Sequence, residues 1–200
     1  MSDVDHDGLY RVAEAQAGYF TSAQAVEAGM DPSTLSHHAR QGGRYERVRR
    51  GLYRLRHFPS SAVEHVVAAW LPLRQADAVV SHASALELYE LSDVIPQVVH
   101  VSVPRAKRGQ RPRQGVRIHT LSRPLESREI RTVAGVAVTS PERSIVDSLE
   151  DGEQPEQIEL AIRQGLNRGL TSRRRLQAAA AGRTRRVREL VDAAMEQVSR

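Results

Sequence analysis

Seven arginines lie between Arg40 and Arg56, and a single acid, Glu46, stands among them. A guanidinium stays charged at physiological pH and presents five N–H donors in a planar fork, a shape that suits phosphate oxygens and the O6/N7 edge of guanine. Charge at that density has no use in an apolar core, so an anion must lie opposite it. A second basic run holds Arg105, Lys107, Arg108, Arg111 and Arg113 with no acid; Lys107 is the only lysine of the chain. The opposite sign collects between Glu142 and Glu159, where seven acids face Arg143 alone. The net charge is +5 and the pI about 10.2. Signs segregated in this way point to a polyanion, nucleic acid first.

Other chemistries find little support. There is no phosphate-binding P-loop, no dinucleotide fingerprint, no nucleophile elbow and no paired-histidine zinc-protease motif. With zero cysteines there is no disulfide framework and no thiolate metal site. His82, Ser84 and Asp147 could be drawn as a hydrolytic triad, but nothing marks a strained nucleophile turn, and His82 reads as a capping or packing residue. Glu87, Glu90 and Asp93 cluster on a helix end, where solvated charge is ordinary. His37 and His38 are adjacent and point about 100° apart on a helix, so they cannot share an ion. The expectation is a protein that is not an enzyme and needs no cofactor or metal. No apolar run reaches about 18 residues, and the acidic start MSDVDHDG is unlike a secretory signal. A cytoplasmic protein with no membrane partner is expected.

The elements that must position the arginines are legible by their caps. A first helix around Leu9, Val12 and Ala13 ends at Gly18. Thr21 caps a helix from Ser22 to about Ala28. Asp31 as N-cap, Pro32 at the first helical position, and a Met30–Leu35 staple open a third helix, read from Pro32 to Gln41 before Gly42-Gly43. Its outward face would carry Ser33, Ser36, His37 and Arg40. RYERVRRGLYRL then reads as two short strands turning near Arg49-Arg50-Gly51, with the arginines projecting. Helix, helix, capped helix and basic hairpin is the order of a winged helix-turn-helix, whose third helix reads a groove and whose wing touches backbone. The DNA-facing set is Ser33, Thr34, Ser36, His37 and Arg40 with Arg44, Arg47, Arg49, Arg50 and Arg54.

Phe58-Pro59-Ser60-Ser61 reads as a linker, so the domains are 1–57 and 58–200. Beyond it, Val63, Val66, Val67 and Trp70 form a helical stripe to about Leu71. AVVSHASALELYEL turns from strand to helix near Ser81. VVHVSVP and GVRIHTL are strands. The basic loop between them is either a solvated hairpin loop or a second phosphate contact through Arg105, Lys107, Arg108, Arg111 and Arg113. Further strands fall between Ile130 and Val138, and Ser140-Pro141 restarts a helix. More helices run from Pro155 to about Gly165, Ser172 to about Ala181 and Arg185 to about Val198. The fold class is α+β: an N-terminal winged helix-turn-helix followed by a mixed α/β domain with a helical C-terminus.

GYFTSAQAVEAGMDPSTLSHHARQGGRYERVRRGLYRL resembles the N-terminal winged helix of AbiEi-type antitoxins of abortive-infection, type IV toxin–antitoxin systems. SHASALELYEL, VVHVSVP and VAVTSPERSIVDSL are similar to landmarks of the domain that follows it there, and the resemblance runs from about Gly18 to Leu170. It implies a repressor of its own operon whose second domain opposes a nucleotidyltransferase-like toxin, the partners being promoter DNA and that toxin. Similar N-terminal halves also occur fused to a restriction-type endonuclease domain, whose carboxylate–lysine pattern is missing from this sequence. A stand-alone regulator, or an interaction module for an acidic protein or RNA, would share the same basic faces.

Overall fold

The computed structural model describes residues 4–197. They form two compact units, one of residues up to 75 with 134–136, the other of residues 76–133 with those from 137 on.

The first unit begins with α1 (His6–Glu14), capped by Asp5, whose carboxylate accepts from the Gly8 amide. After the short strand β1 (Tyr19–Thr21) comes α2 (Ser22–Glu27). Here Thr21 and Gln24 close a reciprocal capping box: Thr21 Oγ1 accepts from the Gln24 amide at 3.2 Å, and Gln24 Oε1 accepts from the Thr21 amide at 2.8 Å. The turn into α3 (Pro32–His38) passes Gly29 at φ +81°, a conformation that disfavours any residue with a Cβ. Met30 and Leu35 are both buried, so the staple forms as the sequence suggests. Strands β2 (Tyr45–Arg49) and β3 (Leu52–Leu55) make the hairpin, turning at Gly51 with φ +77°. The sheet order is β1-β3-β2, all antiparallel. The pairing slips between Arg47 and Arg49, leaving Val48 bulged and exposed near the tip. Leu9, Ala13, Phe20, Ala25, Met30, Leu35, Tyr45, Tyr53 and Leu55 share one core. Phe20 sits edge-on to Tyr45 at 4.9 Å and stacks on Tyr53 at 5.7 Å. Each large side chain buried there contributes about 1.5–3 kcal/mol.

Two boundaries differ from the sequence reading. α3 ends at His38 with Ala39 as C-cap, three residues short of Gln41. Leu35 is its one buried residue, and Arg56 instead holds the next segment, donating to the carbonyls of Gly43 (2.6 Å), Tyr45 (2.9 Å) and Arg40 (3.1 Å). The first unit also extends past residue 57 to Gln75 and takes in α4 (Glu64–Trp70). The Phe58–Ser61 stretch, read as a linker, is gripped by Arg54, which donates to the Phe58 carbonyl at 2.9 Å and pairs with Glu64 at 3.1 Å. Removing the α2 cap with Thr21→Ala should cost about 1 kcal/mol. A denaturant midpoint that falls with an unchanged m-value would show it.

The second unit is built on a five-stranded sheet of order β6-β5-β4-β8-β7. Its strands are β4 (Val79–Val80), β5 (Val99–Val103), β6 (Val116–Thr120), β7 (Ile130–Val133) and β8 (Val136–Thr139). β4 is antiparallel to β5 and parallel to β8. β5 and β6 run parallel, so the basic segment between them is not a hairpin loop. Parallel neighbours need a crossover of about a dozen residues, which is what residues 104–115 provide. Helix α5 (His82–Tyr89) follows β4, and α6 (Pro141–Glu150), α7 (Pro155–Asn167), α8 (Arg173–Ala180) and α9 (Arg185–Gln197) complete the unit. The expected end of α9 at Val198 lies outside the described residues. Mixed helix and sheet, with helices gathered at the C-terminus, is an α+β fold. Among the described residues no helix is long and apolar enough to cross a membrane.

Candidate functional site

In the first unit, α3 and the β2–β3 wing present the sequence-selected residues in two distinct states. Ser33, Ser36 and His37 are exposed on α3, and Arg40 is exposed just past its C-cap rather than on the helix. Ser33 and Thr34 are not free donors: each gives its hydroxyl hydrogen to the Asp31 carboxylate at 2.6 Å. Those two hydroxyls hold Asp31 far below the usual carboxylate range, and their oxygens keep only acceptor capacity. His38 turns inward among the rings of His6 (5.6 Å), His37 (5.7 Å) and Tyr45 (5.8 Å). Partial burial, then the His6 charge, lowers its pKa.

The wing arginines divide. Arg44, Arg47 and Arg50 are exposed, and their side chains make no hydrogen bond or ion pair with another described residue. Arg49 and Arg54 do not project as expected. Arg49 donates to the Ala68 carbonyl on α4, and Arg54 is tied to Phe58, Pro59 and Glu64. Both serve the unit's own packing: Arg49, at the end of β2, is tied to α4, and Arg54, on β3, to the chain that leads into it. Of the arginines selected on α3 and the wing, those left free among the described residues are Arg40, Arg44, Arg47 and Arg50.

In the second unit, Arg105, Lys107, Arg108 and Arg111 are exposed on the 104–115 crossover, and Arg113 is half-buried. The triad that could be drawn on the sequence does not assemble. Ser84 Oγ accepts from the His100 amide at 3.0 Å, and His82 Nδ1 bonds Ser81 Oγ at 2.9 Å. Asp147 is held by Arg143 (2.7 Å) and Arg183.

One cluster escaped the sequence reading altogether: His82, His100 and His119 converge. His119 Nε2 lies 3.2 Å from His100 Nδ1, and the His82 and His119 rings stack with centroids 3.7 Å apart. Burial first, and then the neighbouring imidazoles, pushes His82 down to about 2 and His100 down to about 4; burial lowers His119 also. The signal was present in β5, which reads VHVSV. Apolar and polar residues alternate, yet all five are buried, so the polar face must meet other buried polar groups. The pairing of His100 with Arg117 and Ser102 with His119 places that face beside its equivalent on β6. A cleft of about 1280 Å³ opens onto it, lined by His82, His119, Ser140, Arg143, Asp147 and Arg183 among others.

Compared with known proteins, residues 9–56 match the model of a family described as "Transcriptional regulator, AbiEi antitoxin". No curated protein matches the chain. Among solved structures, the crystal structure of the RV2827C protein from Mycobacterium tuberculosis is similar, with a TM-score of 0.53 at 16% identity over 95% of this chain and 75% of that one. At that identity the likeness is one of fold. The family match runs from within α1 to the residue after β3, and so covers α2, α3 and the wing. The segment that folds here as a winged helix-turn-helix is the one that matches the model of the AbiEi antitoxin family of transcriptional regulators.

Proposed function

We propose that the chain is a DNA-binding repressor that controls its own promoter, and an antitoxin that opposes a nucleotidyltransferase-like toxin. The observation that carries the DNA reading is the set of four exposed arginines, unpaired among the described residues, on a segment matching a family of transcriptional regulators. Ser36 and His37 on α3 would face the base edges, and Ser33 and Thr34 would accept from base amino groups. Arg40, at the end of α3, would reach a guanine. Arg44, Arg47 and Arg50 would follow the phosphates on the wing. The second unit would supply the antitoxin action, with the 104–115 crossover as a further phosphate contact.

Footprinting on the chain's own upstream DNA tests the repressor reading directly. Arg40→Ala should lower affinity for the protected sequence by about 1–3 kcal/mol and narrow the gap to a scrambled duplex. Equal losses on both duplexes would remove Arg40 from base readout, and no protected region would end the reading. The antitoxin reading predicts an adjacent, co-transcribed nucleotidyltransferase frame whose toxicity this chain relieves on co-expression.

A further inference from the structure

The three clustered histidines of the second unit, His82 and His100 buried and His119 half-buried, have no part in that function. One ring nitrogen from each lies within 4.8 Å of one from each of the other two. Three features distinguish them from an ordinary packed cluster. Two nitrogens bound at 2.0–2.1 Å to one tetrahedral ion stand about 3.3 Å apart, and His119 Nε2 and His100 Nδ1 are 3.2 Å apart. His82 has its outer partners in place: Nδ1 bonds Ser81 Oγ at 2.9 Å, which in turn bonds Ser102 Oγ at 2.8 Å. Such a chain orients a ligating imidazole and leaves its other nitrogen for the ion. His82 and His119 also line the 1280 Å³ cleft, which gives an entry path.

We propose that His82, His100 and His119 form a binding site for a divalent transition cation of the zinc class, with three imidazole ligands and a fourth position open to the cleft. All-nitrogen ligation suits zinc and its neighbours and is a poor fit to magnesium or calcium, which take oxygen. Without the ion, His100 and His119 share a proton between their facing nitrogens. Binding moves that proton to the other nitrogen of the same ring, so both imidazoles ligate in the neutral form, and His82, held through Nδ1 by Ser81 Oγ, offers its other nitrogen as the third ligand. The charges around the site are mixed. Asp151 Oδ2 lies 3.8 Å from His100 Nδ1, while its other oxygen is held by Arg117 at 2.8 Å. Asp147 and Arg143 lie along the cleft wall. The cleft wall as a whole carries seven arginines against four acids, so the three imidazole nitrogens, and not the field of the cleft, must hold the dication.

The test uses the full chain, free of any affinity tag and stripped with a chelator. Zinc titration should give one ion per chain. In the unaltered protein, zinc should shift the imidazole NMR signals of three histidines among the eight. Cobalt(II) in its place should give the intense visible absorption of a tetrahedral site. His100→Ala and His119→Ala should each weaken binding by more than about 100-fold, and Ser81→Ala by roughly 10-fold. His37→Ala/His38→Ala, which removes the histidine pair of the first unit, should leave affinity unchanged. Unchanged affinity in His100→Ala/His119→Ala would overturn the site. So would zinc shifts confined to His6, His37 and His38. The NMR and cobalt measurements on the unaltered chain decide the matter even where a variant fails to fold.

Discussion

A variant with Arg44, Arg47 and Arg50 all replaced by alanine should bind operator and scrambled duplex alike more weakly, and the slope of log K against log[salt] should flatten by about three. Each guanidinium seated on a phosphate displaces condensed counterions, and each loss removes roughly one unit of slope. The three side chains are exposed and unpaired among the described residues, so removing them should leave the fold intact. Arg54→Ala is the counterpart. Its side chain is only 12% exposed and is bound to Glu64 and two carbonyls, so the loss should fall on the melting temperature of the first unit and leave the salt slope in place. Both read alike in the sequence, as arginines on a basic hairpin, and the register of β3 separates them. The measurement is a filter-binding or anisotropy series over several salt concentrations, with a melt of each variant alongside. An unchanged slope in the triple variant would remove the wing from the DNA interface.

The helix caps, the staple and the wing turn were legible because each is a local signature with a local cause. Asp31-Pro32, Thr21 with Gln24, and Gly51 act within four residues of themselves. The errors share the opposite property. The end of α3 was set by Arg56, sixteen positions beyond Arg40. The direction of β6 depends on a pairing that leaves no trace in its own residues, since alternation is the same in parallel and antiparallel strands. The histidine cluster joins three elements spaced 18 and 19 positions apart, and no single one carries a motif. The acidic stretch from Glu142 to Glu159 is the most instructive case. In sequence it is a run of seven acids with Arg143 alone among them. In the fold, Asp147, Glu150 and Asp151 meet Arg143, Arg183 and Arg117. Three of the seven acids of that stretch are thus paired in space, whereas Arg40, Arg44, Arg47 and Arg50 have no acidic partner among the described residues. That contrast strengthens the nucleic-acid reading of the first unit and weakens it for Arg183, between α8 and α9, which is paired with Asp147 and Glu150.

Asp147 carries the largest expected effect on stability. Its carboxylate is 4% exposed, accepts from Arg143 Nε at 2.7 Å, and is bound by Arg183 through the other oxygen. Arg143 is itself buried, with a second partner in Glu129 at 3.0 Å, and Glu129 also holds Arg123 at 2.6 Å. Asp147→Ala leaves a buried guanidinium short of a counter-charge and should cost about 3–5 kcal/mol, far more than the net worth of the pair. Asp147→Ala/Arg183→Ala should cost less than the sum of the two single changes, because the second removes one of the charges that the first strands. Acid should reproduce part of the loss. Burial works against the Glu129 carboxylate, but hydrogen bonds from Arg123, the Glu126 amide and Arg143 outweigh it and bring its pKa down from 4.5 to about 2. A carboxylate depressed in this way contributes stability that is full above its ordinary pKa and fades as the pH falls through the folded value, so the second unit should weaken between about pH 4.5 and 2. Hydrogen exchange resolved by residue reads this unit apart from the other. Uniform protection across α6 and β8 in Asp147→Ala would show that the ion pairs decorate a core that stands without them.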